Sequence, residues 1–371
     1  MAESSLTMVK VGAGKMEPRE FAVPEIDEDS ALLKMEVAGI CGSDVGNYAK
    51  PLTAGPMIMG HENVGIIAKA GKKFLERKGV KEGDLVLLEH YLPCMQCEWD
   101  HKGEYRHCES TDWHYNPDAI RYGYTSADLS PHLWGGFSHY LYMPHNAVVH
   151  KVPDGVTAEL AGLATPMGNG VQWSLIEAGI GYGSKVLIQG PGQQGLCNLV
   201  ISKQAGADLI IVTGTTRDAK RMEVAKALGA DYVIDVLKED PLERIKEITG
   251  GVGVDVSIDC TAGAGTAAID LGVEAVKRRG GTLVIQGNED PVFKDFPIGR
   301  ITLKYITLKS ARGHSYRALE LALAQLASHR FPLEKMTTHT MGLSEVDYAI
   351  KSVGGKGAAD VIHVSVLPWK E

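Results

Sequence analysis

The stretch Lys185-Val-Leu-Ile-Gln-Gly-Pro-Gly-Gln-Gln-Gly195 decides how this chain is read. Val186, Leu187 and Ile188 form a short, unbroken apolar run, the pattern of a strand buried on both faces. The run ends in Gly190, Gly192 and Gly195, which carry the G-x-G-x-x-G spacing. Beyond them Leu196, Val200 and Ile201 recur at helical intervals, Gly206-Ala-Asp208 closes that helix, and Leu209-Ile-Ile-Val212 begins a second strand. Each glycine has its own task. The first makes the tight turn, the second lets backbone approach a pyrophosphate, and the third lets helix pack closely on strand. The helix start, with Gln193 and Gln194, then offers free N–H groups and a positive dipole end to phosphates. Set in strand–turn–helix–strand, the pattern predicts dinucleotide binding.

Downstream, strands and helices alternate. Helical patterns at Arg221–Leu228, Leu242–Thr249 and Gly265–Lys277 separate strand patterns at Tyr232–Ile234, Val254–Asp259 and Gly281–Ile285. A strand at Ile306–Lys309 and an amphipathic helix over Ser315–Ser328 follow. This rhythm calls for a parallel sheet covered by helices on both faces. Upstream, to about Pro153, the chain reads as β-rich, with short apolar runs at Ala31–Val37, Val64–Ile67 and Asp84–Leu88. Between Tyr91 and Trp134 no period is evident and Cys, His, Trp and Tyr accumulate, as in a functional lobe. Strand structure resumes at Gly135–Tyr142, and helical periodicity at Ala158–Leu163 and Gly170–Ala178 leads into the glycine turn.

At 371 residues the chain is long enough for two domains. Its 44% hydrophobic and 23% charged residues are those of a globular protein. The formal net charge of −8 argues against nucleic acid or an anionic membrane as partner. The polar, acidic start carries no secretory signal and no apolar run could span a bilayer, so a cytosolic location is expected. Six cysteines are too few for a disulfide scaffold. Cys197 and Cys260 lie in apolar segments and read as core. Cys94, Cys97 and Cys108 cluster, and Cys41 stands among glycines.

Gly39-Ile-Cys-Gly-Ser-Asp44 and Gly60-His-Glu-Asn-Val-Gly65 each hold a metal-binding side chain in a glycine-flanked turn. A thiolate and an imidazole together suit zinc. With these motifs, the cysteine lobe and the glycine turn in this order, the chain resembles the zinc-containing medium-chain alcohol dehydrogenase family. The resemblance implies an α/β chain: a GroES-like β-rich catalytic domain over residues 1–169, completed by 308–371, and a Rossmann cofactor domain over 170–307. Substrate and nicotinamide would meet in the cleft between them. It further implies that Cys41 and His61 are catalytic zinc ligands, that Glu62 is their acidic neighbour or an alternative ligand, and that Ser43 hydrogen-bonds the substrate oxygen. The expected activity is hydride transfer between a nicotinamide and an alcohol, aldehyde or ketone. A homodimer or homotetramer is expected.

Three positions depart from the family pattern. The third zinc ligand is usually Cys, Asp or Glu where this chain has Thr165, so either Glu62 or water fills that place, or the metal is weakly held or absent. Gly46 stands where a relay histidine is often found, leaving proton release to water or His90. The lobe offers Cys94, Cys97, Asp100 and Cys108 where four cysteines are usual; a carboxylate can complete such a site, and His101 and His107 are nearby alternatives. Trp113, Tyr115, Trp134 and His90 either line a substrate pocket or form lobe core. The second strand ends in Thr213-Gly-Thr-Thr-Arg217, with no acid where NAD sites usually carry one. Gly214 leaves room, Thr215 and Thr216 offer hydroxyls, and Arg217 offers a phosphate-binding fork, which favours NADP over NAD. The competing readings are a metal-free NADPH reductase of activated double bonds and a non-enzymatic dinucleotide-binding protein.

Overall fold

The apolar run Val186–Ile188 lies in the strand Lys185–Gln189, which is flanked by Leu209–Gly214 on one side and Val256–Asp259 on the other, both parallel to it. We describe residues 4–53, 55–112, 115–286 and 295–371 from a computed structural model. The whole sheet runs Tyr232–Asp235, Leu209–Gly214, Lys185–Gln189, Val256–Asp259, Thr282–Gln286, Thr307–Ala311. Strand order reverses at Lys185–Gln189, which makes this the doubly wound arrangement with a switch point beside the glycine turn. Helices Gln193–Gln204, Ala219–Ala227, Pro241–Ile248 and Ala267–Ala275 connect its strands. The third shows why the chain turns helical where it does. Asp240 accepts the N–H groups of Leu242 and Glu243, and Pro241 occupies the first turn, where its missing N–H costs nothing. Leu187, Ile211, Ile234 and Ile245 pack together behind the sheet.

The chain divides into two units: Met1–Thr165 with Ser315–Ser328 and Thr337–Glu371, and Pro166–His314 with His329–Met336. A boundary drawn at 307/308 falls inside the last parallel strand, because Thr307 already pairs with Thr282 and Leu308 with Leu283. The helical periodicity at Gly170–Ala178 takes an unusual form. The helix Ala164–Gly170 passes into a wider-turned helix over Val171–Glu177, closed by the Ala178 N–H on the Trp173 carbonyl at 3.0 Å.

In the first unit the sheet order is Thr337–Gly342, His363–Leu367, Ala31–Gly39, Glu62–Ala70, Leu85–Leu88, Val149–Lys151, with Tyr140–Met143 also on Ala31–Gly39. A smaller sheet holds Lys15–Ala22, Ser4–Gly12 and Met57–Ile58. Leu33, Met35, Ile40, Ile58, Met59, Phe137 and Val364 fill the core between them. One register matters most for function: Ala31–Gly39 and Glu62–Ala70 run antiparallel with Gly39 opposite Glu62. The end of one strand therefore meets the start of the other. Trp134 is core, 4% exposed, with its indole N–H on the Leu129 carbonyl at 3.0 Å. Tyr115 is 75% exposed, and Trp113 lies outside the described residues. Among the described residues no helix is long and apolar enough to cross a membrane.

Candidate active site

Cys41 follows the strand Ala31–Gly39 and begins the helix Gly42–Ala49. Its own N–H donates to Asp44 Oδ2 at 2.9 Å, and the Asp44 N–H donates to the Cys41 carbonyl at 3.0 Å. That reciprocal pair fixes the helix start. The other end is held by Lys10, whose buried ammonium donates to the carbonyls of Asn47 at 2.5 Å and Lys50 at 2.7 Å. Cys41 is thus set on a short helix clamped at both ends. Asp44 has a second contact: its Oδ1 lies 3.3 Å from His61 Nδ1, with both side chains buried. A carboxylate beside one imidazole nitrogen favours a ring orientation that leaves the other nitrogen for a ligand.

His61 and Glu62 are neighbours in sequence, and in a regular strand they would point to opposite faces. Gly60 prevents that. Its φ is +88°, and a Cβ there would stand 2.8 Å from the Phe137 ring, so only glycine fits. The turn lets both side chains converge on Cys41. The metal-binding atoms of Cys41, His61 and Glu62 all lie within 4.8 Å of one another. Gly39 makes room on the far side, since a Cβ there would come 2.5 Å from Glu62 Oε2. That oxygen is buried and has no hydrogen-bond partner. Burial pushes the Glu62 carboxyl up to about 7, against the pull of His61. A buried, unpaired acid of this kind suits a cation.

Hydroxyls border the same place. Ser43 Oγ lies 3.4 Å from His61 Nε2 and 3.3 Å from the Tyr124 hydroxyl. The His90 ring stands edge-on to His61, with centroids 5.5 Å apart. Gly46 is inside the clamped helix and Thr165 is buried in the helix Ala164–Gly170. The sequence motifs name Cys41, Ser43, His61 and Glu62. Asp44 and Tyr124 join the site only in the folded structure. For Asp44 a usable signal existed, an acid three residues after a helix-capping position; Tyr124 sits in an aperiodic stretch and has none.

The lobe forms a second cluster. Cys94, Cys97, Asp100 and Cys108 place their metal-binding atoms within 4.8 Å of one another. Cys97 caps the one-turn helix Glu98–His101, which carries Asp100 inward. Asp100 Oδ2 accepts from Cys94 Sγ at 3.0 Å and from the Gln96 N–H at 3.2 Å, while its Oδ1 is buried without a partner. Burial pushes the Cys108 thiol up to about 12. His101 and His107 are exposed and lie outside the cluster.

In the second unit two of the three glycines stand where a side chain has no room. Gly190 has φ +91°, and a Cβ there would meet the Cys260 carbonyl at 2.9 Å. A Cβ on Gly195 would lie 1.9 Å from the Gly190 carbonyl oxygen, so strand and helix touch only because it has none. Around Gly192, the residue before Gln193–Gln204, a Cβ would meet nothing within 4 Å. Gln194 is tied down, donating to the Pro166 carbonyl at 3.1 Å and accepting from Asn169 at 3.2 Å. Thr213 and Gly214 end the second strand in buried positions. Beyond them Asp218 accepts the Thr215 N–H at 3.0 Å, the Thr215 hydroxyl at 2.8 Å and Arg221 at 3.0 Å. Thr216 donates to Asp235 at 2.7 Å, and Arg217 is exposed.

Comparison with known proteins bears on both units. The pattern described as "Alcohol dehydrogenase GroES-like domain" matches residues 27–154, and that described as "Zinc-binding dehydrogenase" matches 195–328. A protein named "Probable alcohol dehydrogenase" from Mycobacterium tuberculosis is 34% identical over 355 residues, covering 94% of this chain and 95% of its own. Human sorbitol dehydrogenase is 30% identical over 349 residues, with 90% of each chain covered. Among solved structures, an alcohol dehydrogenase from Thermotoga maritima superposes with a TM-score of 0.85 at 25% identity, over 99% of this chain and 100% of that one. With both patterns in their expected places and relatives matched along nearly the whole length, the chain belongs to the zinc-type medium-chain alcohol dehydrogenase family, oxidoreductases acting on CH–OH groups.

Proposed function

We propose that this chain is a zinc-dependent alcohol dehydrogenase and carbonyl reductase in which Cys41, His61 and Glu62 hold the catalytic metal. One observation carries this reading: a thiol, an imidazole and a carboxylate converge within 4.8 Å, and the carboxylate has a buried, unpartnered oxygen. A catalytic zinc normally takes three protein ligands and keeps one place open. Zinc bound here would act as a Lewis acid on the substrate oxygen, while a bound nicotinamide carries the hydride. The Asp44 carboxylate, 3.3 Å from His61 Nδ1, would favour presentation of Nε2 to the metal. Glu62 supplies the negative charge that Thr165 cannot. Ser43, beside His61 Nε2, hydrogen-bonds the substrate oxygen and hands on its proton.

Cys94, Cys97, Asp100 and Cys108 would hold a structural zinc, closed by four protein ligands. The turn Gly190–Gly195 and the residues Thr213–Arg217 would bind the dinucleotide. NADP is the favoured form. The Asp218 carboxylate is occupied by Thr215 and Arg221 and is not open to a ribose, whereas the exposed Arg217 is free to meet a 2′-phosphate. We further propose a cytosolic homodimer or homotetramer acting on a small alcohol or carbonyl compound. A screen of NADPH and NADH oxidation over aldehydes, ketones, ketoses and enones, before and after metal removal, tests the reading. Metal-dependent turnover of carbonyl compounds is expected. Turnover of enones alone, unaffected by stripping, would make the protein a metal-free double-bond reductase.

A further inference from the structure

We propose that Tyr124 is the positioning residue that sets the direction of the Ser43 hydrogen bond, and so the path of the proton. The proposal rests on the reading of Ser43 as the group that meets the substrate oxygen. It starts from Tyr122-Gly-Tyr124. Tyr122 is fully buried and donates its hydroxyl to the Tyr142 carbonyl at 2.9 Å, which anchors the segment. Gly123 has φ +81°, and a Cβ there would lie 2.9 Å from the Gly60 carbonyl oxygen and 3.0 Å from His61 Cβ. Only glycine lets the chain lie this close to the His61 turn.

That approach sets the Tyr124 ring 5.2 Å from the His61 ring, centroid to centroid, with its hydroxyl 3.3 Å from Ser43 Oγ. Arg121 backs it, its guanidinium carbon 5.4 Å from the Tyr124 centroid and 4.8 Å from that of Tyr91. The backbone at Arg121 is pinned: its main-chain N–H donates to Thr125 Oγ1 at 2.8 Å, and that hydroxyl donates back to the Arg121 carbonyl at 2.9 Å. The phenol is therefore held in place, not left to search for Ser43.

A serine hydroxyl carries one proton and two lone pairs. When Ser43 donates to an alkoxide, its own oxygen must accept, and the Tyr124 hydroxyl is the donor in reach. During alcohol oxidation the substrate O–H proton passes to Ser43 Oγ. The Ser43 proton moves to the Tyr124 oxygen, and the Tyr124 proton leaves to water. Each oxygen loses one proton and gains one, so both residues end as they began. Carbonyl reduction runs the same chain backwards.

Tyr124→Phe keeps the ring against His61 and removes only the hydroxyl, and Tyr122→Phe removes a phenol of the same segment that does not touch Ser43. In Tyr124→Phe, kcat for alcohol oxidation should fall about tenfold or more, the scale of one lost hydrogen bond or greater. Cofactor Kd and zinc content should be unchanged. Added imidazole buffer should restore part of the rate in Tyr124→Phe but not in Tyr122→Phe. Independently of turnover, a crystal structure of Tyr124→Phe should show Ser43 Oγ spread over more than one rotamer. A wild-type kcat in Tyr124→Phe would overturn the proposal, as would a slow variant that buffer does not rescue and whose Ser43 stays in place. If no alcohol or carbonyl compound is turned over even by the wild type, the proposed function fails, and the Ser43 rotamer alone decides the role of Tyr124.

Discussion

The two clusters of metal-binding side chains are built by different routes. Cys94, Cys97, Asp100 and Cys108 come from one loop, and spacing alone brings them together around the one-turn helix Glu98–His101. Cys41, His61 and Glu62 come from two strand ends, and they meet because Gly39 pairs with Glu62 and the backbone takes a left-handed turn at Gly60. The surroundings differ as well. Asp100 already takes two hydrogen bonds inside the lobe, from Cys94 and Gln96. The first cluster is bordered by hydroxyls and rings, from Ser43, Tyr124 and His90. A local cluster suits holding a loop in shape, whereas one assembled by tertiary structure can present ligands and proton carriers to a substrate.

Cysteine substitutions draw this contrast most sharply. Cys41→Ser should abolish turnover with the unfolding midpoint little changed and cofactor binding still measurable. Cys108→Ser should lower the midpoint, by about 2–4 °C per kcal/mol lost for a unit of this size, while the folded fraction still turns over. If both substitutions act alike, the division of labour is wrong. Gly60→Ala attacks only the tertiary route. It forces alanine into φ +88° and against the Phe137 ring, at a cost of about 1–3 kcal/mol. Zinc should be lost from the first cluster and kept by the lobe, as metal analysis of the purified variant would report.

Arg217 belongs to neither cluster. Arg217→Ala should weaken NADPH binding about 10- to 100-fold, from a charge-assisted contact of about 1.5–3 kcal/mol, and leave NADH binding and zinc content alone. Equal loss for both cofactors would show that Arg217 does not read the 2′-phosphate.

A third cluster, around the buried His150, supplies a metal-independent control. His150 lies between Glu89, at 2.7 Å, and Glu320, with the Tyr316 ring 4.3 Å away. Burial disfavours the charged ring, yet Glu320 and Glu89 outweigh it and push its pKa up to about 9. A histidine raised in this way stabilises the fold fully below its unfolded pKa, near 6.5, and loses that contribution as pH rises through about 9. Chemical unfolding from pH 6.5 to 9.5 should therefore show stability falling by on the order of 2–3 kcal/mol. The slope should become much shallower in His150→Gln and persist after zinc removal.

Much of this was legible in the chain. The run Val186–Ile188 and the glycines after it carry their geometry locally, so strand, turn and helix follow from residue type. The convergence of His61 and Glu62 could be argued from Gly60, because a left-handed turn is what glycine permits. Other features depend on distant residues. The hairpin Ser4–Gly12 with Lys15–Ala22 is obscured because Ser5, Thr7 and Lys10 are polar yet buried. The contact of Asp44 with His61 and of Tyr124 with Ser43 exists only once the first sheet has closed. The boundary expected at Leu308 cuts the strand expected at Ile306–Lys309, because residue type marks that strand but not the sheet it joins.

The central claim is that one chain holds two zinc ions for two purposes, and zinc content measured beside turnover tests it most directly. Wild type should carry two zinc ions per chain, and Cys41→Ser and Cys108→Ser one each, with turnover lost only in Cys41→Ser. Fully active wild-type protein that carries no zinc at the Cys41 cluster would contradict the account.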